Sequence, residues 1–450
     1  MSLYDELREK YPAFSYNGFE IEERGDDYVI TYDFEIDSLS EFNPVWTVKK
    51  NNTNLKDDSV FRNLVFSLGM VELVSYWKIT CSPNVKINCG SLDEDQINWW
   101  KKLYYNGLGE CFYLNGIEDT EERFMNIECN NTEHFNFSGN AVSDCCLVPI
   151  GGGKDSVVSL NILEKNRENN YCYIINPRGA TLNTIKTAGY EDKTIVAYRT
   201  LDKRMLELNE KGFINGHTPF SAIVAFSSLL VSYINGIGYV ALSNESSANE
   251  STVSGSYVNH QYSKSFEFES DFHNYEQKYI KSGVYYFSLL RPLSEYQIAA
   301  LFSRYTDFHS IFRSCNAGSK QDIWCGNCPK CLFVFIIMSP FIEPERLSKI
   351  FGANLFEKDS LLEDFKKLIG LETEKPFECV GSRDEINFAL CEAIKKYDKL
   401  PVLLDFYRQT ELFVSYSARK NPYNDFYDTT NLLPDRFEKM LKDELNREDL

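Results

Sequence analysis

The clearest alternation of apolar and polar positions lies near the start of the chain. Tyr28, Ile30, Tyr32, Phe34 and Ile36 fall on one face at period two, with Thr31, Asp33 and Glu35 on the other, as in a half-buried antiparallel strand. Gly25-Asp26-Asp27 links it to Phe19-Glu20-Ile21-Glu22, so the pair predicts a hairpin with a structural role. From Phe61 the period lengthens. Phe61, Leu64, Val65 and Leu68 make a helical stripe that runs on through Gly69-Met70-Val71-Glu72-Leu73-Val74-Ser75-Tyr76-Trp77-Lys78. Glu72 continues the stripe, where a carboxylate either faces a cleft or reaches solvent from the helix edge. Ser91 and Glu94 pair as a capping box for a second helix bearing Trp99, Trp100 and Leu103. Asn106-Gly107 ends that helix, and Gly107-Leu108-Gly109-Glu110 reads as a turn.

After the polar stretch from Thr120 to Asp144 the pattern changes to short apolar runs alternating with helical segments. Cys145 to Ile150, Tyr171 to Ile175, Thr194 to Tyr198 and Gly238 to Leu242 read as buried strands, with helices at Ser156 to Glu164 and Ala222 to Ile234. Such a pattern predicts a parallel sheet with helices on both faces and ligands at the carboxyl ends of its strands. Gly151-Gly152-Gly153 and the polar cluster Ser243 to Asn249 both fall at those ends. Beyond Ile342 the pattern is mainly helical, with a capping box at Ser382 and Glu385. The expected organisation is an α/β protein with an N-terminal α+β domain over 1–140, a parallel-sheet domain over 141–342 and a helical region over 343–450.

Composition narrows the function. The chain has 450 residues, 43% of them hydrophobic, and 47 Lys plus Arg against 66 Asp plus Glu, for a net charge of -19. That balance argues against broad nucleic-acid binding, though a local basic pocket still allows a phosphorylated small molecule. The first residues lack a signal-peptide pattern, and the apolar stretches at 222–242 and 332–342 are broken or too short to span a bilayer. The 13 cysteines are too dispersed for a small disulfide scaffold, which fits a reducing cytoplasm.

The candidate chemistry centres on Val148 to Val158, where an apolar run meets Gly151-Gly152-Gly153-Lys154-Asp155-Ser156 and then a helix. Tight glycine turns expose backbone N–H groups, and a helix N-terminus adds a positive dipole end, so the stretch reads as a phosphate loop to which Lys154 and Ser156 contribute. It is not a Walker A loop, because Asp155 follows the lysine and the spaced first Gly is missing. Cys315, Cys325, Cys328 and Cys331 form the second signal, a four-thiolate pattern suited to structural zinc, with an iron–sulfur cluster as the other option. For proton transfer near neutrality the candidates are His217 and His260, with Glu245, Lys264 and Glu72 in reserve. Arg199, Arg291 and Lys264 are candidates to bind substrate phosphate or carboxylate.

The order strand, Gly-Gly-Gly-Lys-Asp-Ser, helix resembles the pyrophosphatase loop (PP-loop) of ATP-dependent adenylating enzymes, usually Ser-Gly-Gly-x-Asp-Ser, with Gly151 in place of the serine. That resemblance implies an adenine nucleotide α-hydrolase-like fold, ATP and Mg2+, and attack of a substrate oxygen on the α-phosphorus. The cysteine layout is similar to that of the deazaguanine nitrile synthase branch. Leu68 to Lys78, Asn106 to Glu110, Pro149 to Ser156, Asn215 to Ala222, Asn259 to Ser265 and Cys325 to Cys331 together resemble the ATP-dependent UDP-N-acetylmuramoyl-L-alanyl-L-glutamate epimerases of bacterial peptidoglycan synthesis. The resemblance implies adenylation of the terminal L-glutamate on its α-carboxylate, loss and return of the α-proton, and hydrolysis to the D-glutamyl product and AMP. Asn244, Asn259, Gln261 and Arg199 are then the candidate substrate-binding residues. Another adenylating enzyme acting on a carboxylate, or a nucleotide-binding module without turnover, is the alternative.

Overall fold

The computed structural model describes residues 2–51, 54–131, 142–253 and 258–447. The alternating segments become β1 (Ala13–Arg24) and β2 (Asp27–Ile36), antiparallel with Ile21 opposite Ile30. Tyr28, Ile30, Tyr32, Phe34 and Ile36 are all buried, whereas Thr31, Asp33 and Glu35 are not. β3 (Ser40–Phe42) and β4 (Val45–Lys49) both pair with β2, and β5 (Asn84–Ile87) and β6 (Asn126–Cys129) extend the sheet in parallel from β1. The second half holds β7 (Ser143–Pro149), β8 (Asn170–Ile175), β9 (Thr194–Thr200), β10 (Ile237–Leu242) and β11 (Tyr285–Ser288), all mutually parallel.

Among the described residues these strands form one sheet, in the order β11-β10-β7-β8-β9-β4-β2-β1-β5-β6 with β3 on β2. The sheet is continuous because β4 pairs antiparallel with β9, placing Trp46 opposite Arg199. The expected boundary at residue 140 falls within 132–141, outside the described residues.

Both faces of the parallel half are covered, which is why its strands read as unbroken apolar runs. Leu147, Tyr173 and Val240 enter one core, while Cys146, Val148, Cys172, Ile174 and Ala241 enter the other. The first core is closed by the helices Ser59–Trp77 and Phe220–Asn235, and the second by Lys154–Ile162, Glu295–Arg304, Pro329–Met338 and the C-terminal helices. Apart from Ser59 and Arg62, every residue of Ser59–Trp77 is buried, as expected of a helix apolar on all sides. Gly69 permits its close approach to the sheet, since a Cβ there would lie 2.1 Å from the Tyr16 hydroxyl oxygen. Among the described residues no helix is long and apolar enough to cross a membrane.

Two local expectations shift. The second helix starts at Glu94 with Asp93 as its cap and Gln96 returning the bond, so Asp93 and Gln96, not Ser91 and Glu94, form the capping box. An aspartate immediately before the first helical turn satisfies the free N–H groups where a serine two residues earlier cannot. Gly109-Glu110 is also not a turn but the start of a short helix, Gly109–Leu114, with Glu110 in its first turn. The box at Ser382 and Glu385 forms as expected.

Candidate active site

In the parallel half, β8 and β9 lie on one side of β7, and β10 and β11 on the other. The strand order therefore reverses at β7, and the connections leaving β7 and β10 diverge at their carboxyl ends, the usual ligand crevice of such sheets. The glycine loop follows β7 directly. Gly152 has φ +81°, and a Cβ on it would lie 2.8 Å from the Ala180 methyl and 2.9 Å from the Ala180 carbonyl carbon. Only glycine meets both demands without strain. Its carbonyl accepts from the Arg313 N–H at 2.8 Å, and Gly153 caps the helix Lys154–Ile162 without any side-chain hydrogen bond. The helix N-terminus thus offers backbone donors and its dipole end to an anion. Gly151, by contrast, has open space where a side chain would project and no positive φ.

Lys154 is buried, with its Nζ between the carboxylates of Asp155 and Glu295. Burial works against its charge, but Asp155 and Glu295 override that and hold the ammonium protonated. Burial likewise pushes Glu295 up to about 8 against the opposing pull of Lys154. Asp155 goes the other way: burial opposes its charge, yet Lys154 above all keeps it below the usual carboxylate range. Ser156 Oγ donates to the Gly153 carbonyl at 3.0 Å. Glu295 went unnoticed in the sequence, although Ser294 and Gln297 form a capping box that announces its helix start. Its own N–H donates to Glu385 at 2.6 Å, tying the C-terminal region to the loop.

The end of β10 delivers Asn244 and Glu245, both buried. Asn244 Nδ2 donates to Ser288 Oγ at 3.1 Å. Arg291 is fully buried, paired with Glu269 at 2.7 Å, and donates to the carbonyls of Glu245 and Lys264 at 2.5 Å each. It clamps the two segments that carry those candidates. Lys264 is held protonated: burial opposes its charge, but Cys379, Glu245 and Asp155 prevail.

Next to Lys264 lies a cluster drawn from distant segments. His260 Nδ1 contacts the Glu110 carboxylate, His217 Nδ1 lies 3.8 Å from the same oxygen, and the two imidazole centroids are 4.3 Å apart. Cys379 is a near neighbour of both His260 and Lys264. Burial and then the charge of His260 lower His217 to about 4. For His260, burial is overcome by the neighbouring Cys379 and Glu110, raising it to about 9. Cys379 falls to about 6, because Lys264 and His260 outweigh its burial. At neutral pH His217 is therefore neutral, His260 charged and Cys379 a thiolate.

Supporting bonds fix these groups. Lys78 reaches Asn215 Oδ1 at 3.2 Å and the Gly216 carbonyl at 2.5 Å, holding the loop that presents His217. The His260 N–H donates to Thr252 Oγ1 at 2.9 Å. Asn259 Nδ2 donates to the Ala248 carbonyl at 3.0 Å, and Gln261 Nε2 to the Val380 carbonyl at 3.2 Å, leaving the buried Gln261 Oε1 without a partner.

Two candidates lie elsewhere. Glu72 is fully buried, neither facing the cluster nor reaching solvent. Arg199 grips it with Nε at 2.9 Å and Nη2 at 2.7 Å, and Trp46 Nε1 donates to it at 3.3 Å across the β4–β9 seam. The four candidate metal thiols converge as expected of a closed site. Their sulfurs all lie within 4.8 Å of one another, with Cys315–Cys328 at 3.8 Å and Cys325–Cys331 at 3.6 Å. A tetrahedral ion with Zn–S bonds of about 2.3 Å requires sulfurs about 3.8 Å apart. The donor set fits zinc.

Fold and site together define an α/β protein with a glycine loop and helix start at the reversal of a parallel sheet, beside a half-buried thiol–imidazole cluster. Residues 5–289 match the family described as the MurL N-terminal domain, and residues 308–413 match the MurL C-terminal domain. The chain is 34% identical over 331 residues to the UDP-N-acetyl-alpha-D-muramoyl-L-alanyl-L-glutamate epimerase of Xanthomonas oryzae pv. oryzae, covering 72% of each chain. It is 32% identical over 332 residues to the protein of that name from Salinispora tropica, covering 72% of this chain and 71% of the relative. No solved structure matches significantly. The chain belongs to the MurL epimerase family.

Proposed function

We propose that this protein inverts the terminal L-glutamate of UDP-N-acetylmuramoyl-L-alanyl-L-glutamate to D-glutamate in peptidoglycan precursor synthesis, at the expense of ATP. What supports the reading is that a glycine loop opening a helix after β7 and a cluster of ionisable groups reached through Lys264 occur together, in a chain whose relatives bear that name. An oxygen of the substrate α-carboxylate attacks the α-phosphorus of ATP, giving the acyl-adenylate and pyrophosphate. The N–H groups of Gly152 to Lys154 and the helix dipole stabilise the charge that develops there. A free carboxylate resists a carbanion beside it, whereas the mixed anhydride delocalises the electron pair, so the α-proton becomes removable. After reprotonation from the opposite face, water releases the D-epimer and AMP.

Mg2+ fits the loop through Asp155, whose side chain is 32% exposed and offers the hard oxygen that ion prefers. When bound it supplies charge neutralisation for the departing pyrophosphate. Zinc on Cys315, Cys325, Cys328 and Cys331 serves the fold, by joining the segment around Cys315 to the start of the helix Pro329–Met338. Cys328→Ser is expected to lose about one zinc per chain and to lower Tm; unchanged zinc content rejects the site.

The test of function is incubation with ATP, Mg2+ and the UDP-muramoyl dipeptide, followed by analysis of glutamate chirality and AMP. Inversion with AMP release is expected. A dipeptide that stays wholly L-configured while the protein binds ATP contradicts the proposal, and AMP formation only with another carboxylic acid points to a different adenylating enzyme.

A further inference from the structure

Of the groups that could exchange a proton with the substrate, most are in the wrong state. Lys264 and His260 are held protonated by their anionic neighbours, so neither is a base at neutral pH. Glu245 lies beside Lys264, and Glu72 is enclosed by Arg199 and Trp46. His217 is available as a neutral imidazole. The remaining group is Cys379, which comes from a C-terminal segment that no sequence motif marks.

That segment is docked with care. Glu374 bridges to Val253, the Lys375 N–H donates to the Thr252 carbonyl at 3.0 Å, and Lys375 Nζ binds Glu250 at 2.6 Å. The Cys379 carbonyl accepts from Lys330 Nζ, and the next carbonyl, Val380, accepts from Gln261. The backbone on either side of the sulfur is thereby anchored to the elements that carry the zinc ligands and His260. The basic neighbours of the sulfur are Lys264, His260 and Lys330, with Glu378 as the neighbouring acid and Glu110 behind His260. Glu110 contacts His260, which neighbours Cys379, and Lys264 feels both Cys379 and Asp155 of the glycine loop electrostatically.

We infer that Cys379 is a catalytic base of the epimerisation, with the Glu110–His260 pair beside it and Lys264 between it and the glycine loop. The inference rests on the proposed epimerase reading. The sulfur takes the α-proton of the adenylated glutamyl residue to become S–H, and the C–H electron pair passes into the acyl carbonyl. A proton from water enters the opposite face of the carbon. The thiol then releases its proton to solvent, where it neutralises the hydroxide left behind, which restores the thiolate and balances atoms and charge.

Two measurements on the full-length protein test this. In D2O with ATP, Mg2+ and the UDP-muramoyl dipeptide, Cys379→Ser and Cys379→Ala should form AMP within about threefold of the unaltered protein. Both should lose α-deuteration and inversion by about 100-fold or more, the range of a missing general base. The second measurement needs no turnover: iodoacetamide alkylation of Cys379, mapped by mass spectrometry across pH. Its rate should have its midpoint near pH 6 rather than at the ordinary thiol value of about 8.5, and Lys264→Met should move the midpoint upward. Inversion at the unaltered rate in Cys379→Ser overturns the assignment, as does an alkylation midpoint above about 8. Loss of AMP together with inversion, at unchanged Tm, also overturns it by moving Cys379 to the activation step. If the unaltered protein makes no AMP with the dipeptide, the epimerase reading fails whatever the alkylation profile.

Discussion

Six consecutive residues, Gly151 to Ser156, build the loop after β7, whereas the neighbouring cluster takes Glu110, His217, His260, Lys264 and Cys379 from segments far apart in the chain. The loop is largely backbone: a positive φ at Gly152, an uncapped helix start and a lysine enclosed by two acids. The cluster is all side chain, and its charge states follow from which neighbour each group meets. On the proposed reading, the difference separates two tasks. Phosphate can be held by fixed N–H dipoles, which cost little to keep in place, while moving a proton needs ionisable groups whose pKa values are driven apart. His217 at about 4 and His260 at about 9 are two imidazoles on one carboxylate, separated by burial and by their distinct partners.

If the tasks are separate, variants on the two sides should fail differently. Asp155→Ala should lower AMP formation by about 10³-fold, or about 4 kcal/mol, taking inversion with it. His260→Gln should spare AMP formation and lower inversion on a similar scale; loss of AMP in both variants would break the separation. Glu72→Ala should act on neither task but on the seam. It strands Arg199 under the sheet, and a chemical melt should show about 3 kcal/mol lost. A stability change under about 1 kcal/mol would mean that the pair is not closed. At Gly152 the backbone itself is tested, and Gly152→Ala should cost about 2 kcal/mol through its positive φ and the contact with Ala180. Gly151→Ser should be the smallest change, within about 0.5 kcal/mol in stability, since open space receives the hydroxymethyl group. A large loss there would show that the loop tightens in use.

The sequence yields its local features well and its convergences poorly. The hairpin, the parallel strands, the loop and the Ser382 box depend on spacing within a few residues, and all appear close to where periodicity puts them. The capping box near residue 93 missed by two positions because Ser91 and Asp93 both precede acceptable partners, and only the observed helix start chooses between them. Glu72 looked like a helix-edge acid because its partner sits on β9, brought there by the β4–β9 pairing that no local pattern encodes. Glu110, Glu295 and Cys379 escaped for the same reason. Each acquires its chemistry from a neighbour over a hundred residues away, as with Glu110 and His260 or Lys154 and Glu295.

The central claim is that the α-carboxylate is adenylated on the way to inversion. It is tested most directly with the dipeptide carrying 18O in the glutamate α-carboxylate, by mass analysis of the AMP released. The account predicts one 18O in each AMP, because the attacking carboxylate oxygen stays on phosphorus when water opens the acyl carbon. Inversion accompanied by AMP free of 18O would contradict it.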